Sequence, residues 1–339
     1  MNVKTEVSVA LVALLVAAAI GSILIVIAGA SPLEVWIAVI DRTVRDPYAW
    51  GQILAKATPL VFSGLAVAIA LRAGLFNIGG EGQMVAGCLA CGAVGAALPA
   101  GTPAVIAIPA CVIAAALAGA AIGALTGAMR AYRNAHEVIV SIMMNAIVGG
   151  VALWIGNTWL FTGGVTAGPP IAHGAELPAL GIAGSSANVS VFFAALAAGG
   201  TWWWFERTKT GVEWRWVGQG PRAAATAGIR VPRAYVWVMT ASGALAGLSA
   251  THAVMGWRHA YQDDLVRNLG FLGIAVALLG GGHPLGVVIA ALFIGFLQNA
   301  GLAAADLVPK SLFDVLSAMI ILALAAASPT VRRALEKKA

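Results

Sequence analysis

Apolar runs of about 20 residues, long enough to cross a bilayer as helices, recur along the whole chain and leave few folds open to it. They lie at Val7 to Gly29 and at about 51–71, 80–98, 103–129, 138–156, 188–205, 234–254, 269–282, 285–304 and 312–327. In hydrocarbon every backbone N–H and C=O must be bonded within the protein, so unbroken runs of this length are helices. Composition agrees: 60% of the 339 residues are hydrophobic and 10% charged, against roughly 25% charged in a soluble chain. That balance excludes a water-soluble enzyme and excludes disorder, which needs low hydrophobicity and high charge. A porin is excluded because its strands alternate polar and apolar residues. The chain is expected to be an all-α polytopic integral membrane protein of about ten transmembrane helices, one transmembrane domain over 1–339.

The first run ends in Ala28-Gly29-Ala30, which imitates a signal-peptidase site, but a cleavable core is about 7–15 residues and this run is longer, so it is expected to stay as a span. A net charge of +6 is too thinly spread to make a nucleic-acid face and reports membrane orientation instead. Assigning loops alternately to the two sides of ten spans puts fourteen Lys and Arg on one side and six on the other. The basic side carries both termini and the segments 206–233 and 330–339, which are therefore expected in the cytoplasm.

Two stretches interrupt the helical pattern: 72–82, which reads Arg-Ala-Gly-Leu-Phe-Asn-Ile-Gly-Gly-Glu-Gly, and 280–286, which reads Gly-Gly-Gly-His-Pro-Leu-Gly. They are either broken or re-entrant elements beside a pathway, where protein or water satisfies unwound backbone, or tight turns between spans. Gly119, Gly123 and Gly127 stack on one helix face at a spacing of four and invite close approach by another helix, a device repeated by Gly243 and Gly247. The likeness of Gly64-Leu-Ala-Val-Ala to Gly273-Ile-Ala-Val-Ala is what an Ala/Gly-rich chain produces by chance, and it gives no sign of an inverted repeat.

Motifs for chemistry are scarce. None of the six lysines follows a glycine, so the chain has no Walker A loop and any ATP hydrolysis belongs to another polypeptide. His136-Glu137 lacks the second histidine of a zinc protease, and Cys88-Leu-Ala-Cys91 has no second pair to complete a metal site. Of the acids near spans, Glu137 and Asp314 read as residues that favour helix N-termini, whereas Glu81 falls inside the first break. The long polar segment 206–233 follows Trp202-Trp203-Trp204, an aromatic cluster suited to the membrane interface. Within it Pro221 and Gly228 bracket a short helix over 221–227. That helix is either a rigid knob for a partner or a segment resting on anionic lipid through Arg222, Arg230 and Arg233.

Four blocks in order resemble the membrane permeases of nucleoside-type ABC importers, within the wider ribose, simple-sugar and branched-chain amino acid permease family. They are Phe76 to Met84, Glu137 to Asn145, Gly218 to Ile229, and Gly270 to Gly280 with His283-Pro284-Leu285-Gly286. The resemblance implies one half of a transmembrane pathway in the bacterial cytoplasmic membrane, beside a second, related permease in a heterodimer. A cytoplasmic ABC ATPase would hold the ATP and Mg, with no cofactor in this chain, and an extracytoplasmic solute-binding lipoprotein would deliver a nucleoside or a simple sugar. It places Asn77, Glu81, Gln83, Asn145 and Phe271 near the pathway. It makes Gly218, Gly220, Pro221, Arg222, Ala223, Ala224 and Gly228 the helix that enters the ATPase. Leu272 departs from the polar residue found there in many relatives. Two other classes stay open on the residues alone: an ion-coupled transporter using Glu81, and a membrane enzyme using His136, His252 or His283.

Overall fold

A computed structural model describes residues 19–161, 165–309, 311–316 and 318–319. Much of the first expected span, part of the tenth and the basic segment 330–339 lie outside these residues. The order is α1 (Ala19–Ile27), α2 (Pro32–Val44), α3 (Pro47–Arg72), α4 (Gly80–Ala97), α5 (Ala104–Arg133), α6 (Glu137–Ile155), β1 (Ala167–Pro170), α7 (Ser190–Arg207), α8 (Lys209–Gln219), α9 (Pro221–Thr226), α10 (Val231–Gly247), β2 (Ala260–Gln262), α11 (Leu269–Leu279) and α12 (Pro284–Ala303). Among the described residues five helical spans, or six if the bent pair α1 and α2 is one, are long and apolar enough to cross a membrane. The chain is thus the polytopic helical protein that its hydropathy predicts.

Residues fall into two compact units, one comprising 1–56, 182–185 and 292–339, the other 57–181 and 186–291. In the first, α2 meets α1 at 117° and buries the stripe Val35, Val39 and Thr43. Ile25, Ala300, Ala304, Val308 and Phe313 complete that core. Arg42 binds both oxygens of Asp306 at 2.6 and 2.9 Å, and this hydrogen bonding holds the Asp306 carboxyl below the usual carboxylate range.

The second unit is built outward from α3. Leu60, Phe62, Leu65, Ala66, Val67, Ala68 and Ala70 have no exposed surface, as expected of a helix apolar all round. By contrast α5 and α6 turn Ile113, Leu117, Ile139, Met143 and Ile147 outward, an apolar exterior that only hydrocarbon or another membrane chain can cover. Glycines set the packing. Gly119, Gly123 and Gly127 of α5 lie against the backbone of Gly243, Met239 and Tyr235 of α10, so the two helices run antiparallel at backbone contact. Gly247 lies against the Ala115 carbonyl of α5 and against Gly87 of α4, locking three helices together.

The two similar pentapeptides also meet. Ser63 donates to the carbonyl of Leu269 at 3.0 Å, Arg72 donates to that of Gly282 at 3.2 Å, and Gly64 lies against Val276. Rising numbers face rising numbers, so α3 and α11 are parallel, and their shared glycine-and-alanine pattern has a packing cause. At the far end from Arg72, β1 and β2 pair antiparallel, with Ala167 opposite Gln262. Tyr261 of β2 stacks on Phe161 at 6.0 Å and lies over Gly92 of α4.

A side chain on this seam has nowhere to go. Gly243→Leu is expected to lower the thermal midpoint of the detergent-solubilised protein by the equivalent of about 1–3 kcal/mol or to prevent folding, the usual result of overpacking. Gly149→Ala, which enters open space on α6, should leave the midpoint unchanged.

Candidate functional site

The break between α3 and α4 is a buried link, Ala73 to Gly79, in which Ala73, Leu75, Asn77 and Gly79 turn inward. Backbone out of helix inside a membrane protein must find other partners, and side chains supply them here. Asn77, fully buried, accepts from the Gly79 N–H at 2.9 Å. Its amide donates to Gln83 Oε1 at 2.8 Å and to Ser242 Oγ of α10 at 2.6 Å, and the Ser242 hydroxyl donates in turn to the Ala66 carbonyl of α3. Asn145 of α6 grips the same stretch from outside, donating to the Ile78 carbonyl at 2.9 Å and accepting from the Gly82 N–H at 2.8 Å.

Glu81 reaches in another direction. The backbone freed beside it by Gly79 and Gly82 is already taken, by Asn77 and Asn145. Glu81 instead accepts from the N–H groups of Asn268 and Gly270, the latter at 2.8 Å, at the start of α11. Gly270 is needed there because a Cβ would strike the Glu81 backbone. One turn of chain thus clamps α3, α4, α6, α10 and α11. Asn77 and Gln83 form its interior, Glu81 and Asn145 are only partly buried, and Phe271 is 46% exposed. The second break differs: α11 ends at Leu279, and Gly281 and Gly282, at φ +62 and +66, make a turn into α12.

The second part of the site is the short helix α9. Pro221 opens it, and Gly228, at φ +86, closes it, with Gly228 N–H bonded to the Ala225 carbonyl and Ile229 N–H to that of Ala224. Arg222, Ala223, Ala225 and Thr226 are exposed, whereas Ala224 is buried among Ala73, Leu75, Val217 and Ala234. Ala224 therefore anchors α9 to its own chain and presents nothing to a partner. Ahead of α9 stands α8, a helix that the sequence reading merged into a loop. Its Gly218 lies on the Arg72 carbonyl and Gly74, so α8 rests directly on the start of the buried link.

Charges fasten this corner. Glu206 bridges Arg72 at 3.3 Å and Arg215 at 3.1 Å, and Arg72 stacks over Phe205 at 4.6 Å. Glu137 pairs with Arg130 at 3.3 Å, not with the adjacent Arg133. Nine of the eleven Lys and Arg in the second unit occupy this end, and only Arg258 and Arg267 occupy the other. Among the described residues no cluster of His, Cys, Asp and Glu could hold a metal ion. His252 is buried against Asn188 and Ser190, and His283 stands in the glycine turn.

Residues 50–325 match the family described as the branched-chain amino acid transport system permease component. The chain belongs to that permease family. It is 35% identical to the guanosine ABC transporter permease NupP of Bacillus subtilis, over 93% of this chain and 91% of that one. Identity to the nucleoside ABC transporter permease NupB of Lactococcus lactis is 29%, over 95% and 91%, and to the glucose ABC transporter permease TsgB13 of Haloferax volcanii 28%, over 91% and 84%. No solved structure matches the chain significantly. The protein is an ABC-importer permease, a multi-pass membrane protein.

In this permease the Glu81 contact is open to direct test. Glu81→Gln keeps an acceptor and should hold α11 in place, whereas Glu81→Ala strands two backbone donors and should destabilise the protein by on the order of 2 kcal/mol. Thermal unfolding of both variants in detergent measures the difference, and equal midpoints would show that the contact carries no load.

Proposed function

We propose that this permease is one of two related membrane subunits, paired as a heterodimer in the bacterial cytoplasmic membrane, that carry nucleosides inward. The basic end that holds α8 and α9 faces the cytoplasm, in keeping with the excess of Lys and Arg there. A cytoplasmic ATPase supplies ATP and Mg and receives the exposed face of α9, and an extracytoplasmic binding protein delivers solute on the other side. No bond of the solute is made or broken. The chain supplies an alternating path, and selectivity rests chiefly with the binding protein.

The observation that carries this reading is the seating of α8 on the buried link through Gly218 and Gly74, next to an exposed α9. A displacement of α9 reaches the link directly, and the link is bonded by Asn77, Asn145 and Glu81 to α10, α6 and α11. Such a chain of contacts gives ATPase movement a short physical route to the helices around a pathway. In this reading Glu81, Asn145 and Phe271 meet the solute, and Asn77 and Gln83 act by holding the break. Nucleosides come first because guanosine and nucleoside permeases are named among relatives of high coverage. The glucose permease supports a simple sugar as the second reading.

Introducing a negative charge on the exposed face, as in Ala225→Glu, should reduce co-purification of the ATPase at least several-fold while the spans still insert. Ala224→Glu should instead destabilise the permease itself, since that side chain is packed inside. Purified alone in liposomes, the permease should take up no solute under a proton gradient. Uptake in that assay would replace the ABC mechanism with ion coupling, and calorimetric titration of the cognate binding protein with nucleosides and sugars decides the substrate.

A further inference from the structure

Between α7 and α10 runs an open groove of about 860 Å³ whose walls are mostly apolar. On α7 it is lined by Ala197, Gly200, Thr201 and Trp204, which repeat on one face at three- and four-residue steps. On α10 and its continuation Trp237, Ala241, Ala244 and Leu248 do the same. Small residues on both helices keep the trough open. From Trp237 to Leu248 it descends eleven residues, about 16 Å at 1.5 Å per residue. That is about half of a hydrocarbon core of roughly 30 Å, the depth of one leaflet.

The mouth is polar and basic. Arg230 and Arg233 line it together with Thr210 and Glu213. Both arginines are exposed, and among the described residues neither has an ion-pair partner. Glu213 lies 3.8 Å from Lys209, which leaves the arginine charges uncompensated. Trp204 stacks on Trp214 with centroids 5.3 Å apart and donates to Thr210 at 2.9 Å, the amphipathic placement that tryptophan takes at a membrane interface.

An apolar trough one leaflet deep, opening under two unpaired arginines, matches one kind of molecule in shape and in charge. We propose that this groove is a binding site for an anionic phospholipid, its acyl chain between α7 and α10 and its phosphate at Arg230 and Arg233. The inference needs only that the basic end meets the membrane surface, and it does not depend on how the ATPase docks.

The full-length chain in mild detergent, titrated with palmitoyl-oleoyl phosphatidylglycerol or the zwitterionic phosphatidylcholine of the same chains, gives the affinities by native mass spectrometry. Phosphatidylglycerol should bind about 30-fold more tightly, the summed effect of two arginines near an anionic group. R230Q/R233Q should remove most of that preference, and R230K/R233K, which keeps the charge, should retain it. Ala244→Phe fills the trough without touching the mouth and should weaken both lipids. Arg133→Gln, at the end of α5 and outside the groove, should change neither. Equal affinity for the two lipids overturns the proposal, as does full phosphatidylglycerol affinity in Ala244→Phe. So would cross-linking that finds a second copy of the chain in the groove in place of lipid.

Discussion

Backbone-to-backbone contact between α5 and α10 is the constraint on which the second unit depends. In a bilayer, helices gain no hydrophobic energy by meeting one another, so close packing and polar bonds must hold them together. Five glycines on two helices bring main chains into contact over four levels, from Ala115 beside Gly247 to Gly127 beside Tyr235, and Gly87 brings α4 into the same seam. With no layer of side chains between them, these helices have no second way to pack. Elsewhere in this unit polar side chains also make joints between helices.

Those joints surround the buried link. Asn77 and Asn145 hold backbone groups of the link and the start of α4, Glu81 holds those at the start of α11, and Glu206 gathers Arg72 and Arg215. Buried hydrogen bonds of this kind are costly to leave unmade, whereas the glycine seam is held by close packing. Beside the glycine seam of α4, α5 and α10, then, α6 and α11 are held by polar side chains as well as by close packing, with Gly270 against the Glu81 backbone and Gly64 against Val276.

Of the ten runs expected to span, sequence alone showed those that become α3, α5, α6, α10 and α12, together with the breaks and the glycine faces, because each is a local pattern repeated over many residues. It missed α2, because the apolar run before it ends at Gly29 and α2 itself is only 13 residues with a charged last turn. It merged α8 into a loop because Glu213 and Arg215 interrupt the apolar signal, although Thr208, which accepts from the Gly211 N–H, is a legible helix start. The site was half legible. Glycines around Glu81 announced backbone needing partners, yet its actual partners lie 187 and 189 positions away, beyond any spacing rule. The inward turn of Ala224 was hidden for a different reason: six residues are too few for a helical period to declare which face is buried.

The carboxylate at the start of α11 also bears on charge selection. A half-length helix pointing its first turn toward a pathway ordinarily offers a patch of positive potential, a natural receptor for a solute's carboxylate or phosphate. Here Glu81 already occupies that patch and supplies the negative charge from within the protein. An anionic group approaching the start of α11 would meet repulsion from this carboxylate, which an uncharged one would not. Glu81 at this corner thus weighs against carboxylate and phosphate groups and leaves uncharged ones unopposed, although the family at large is described by amino acids.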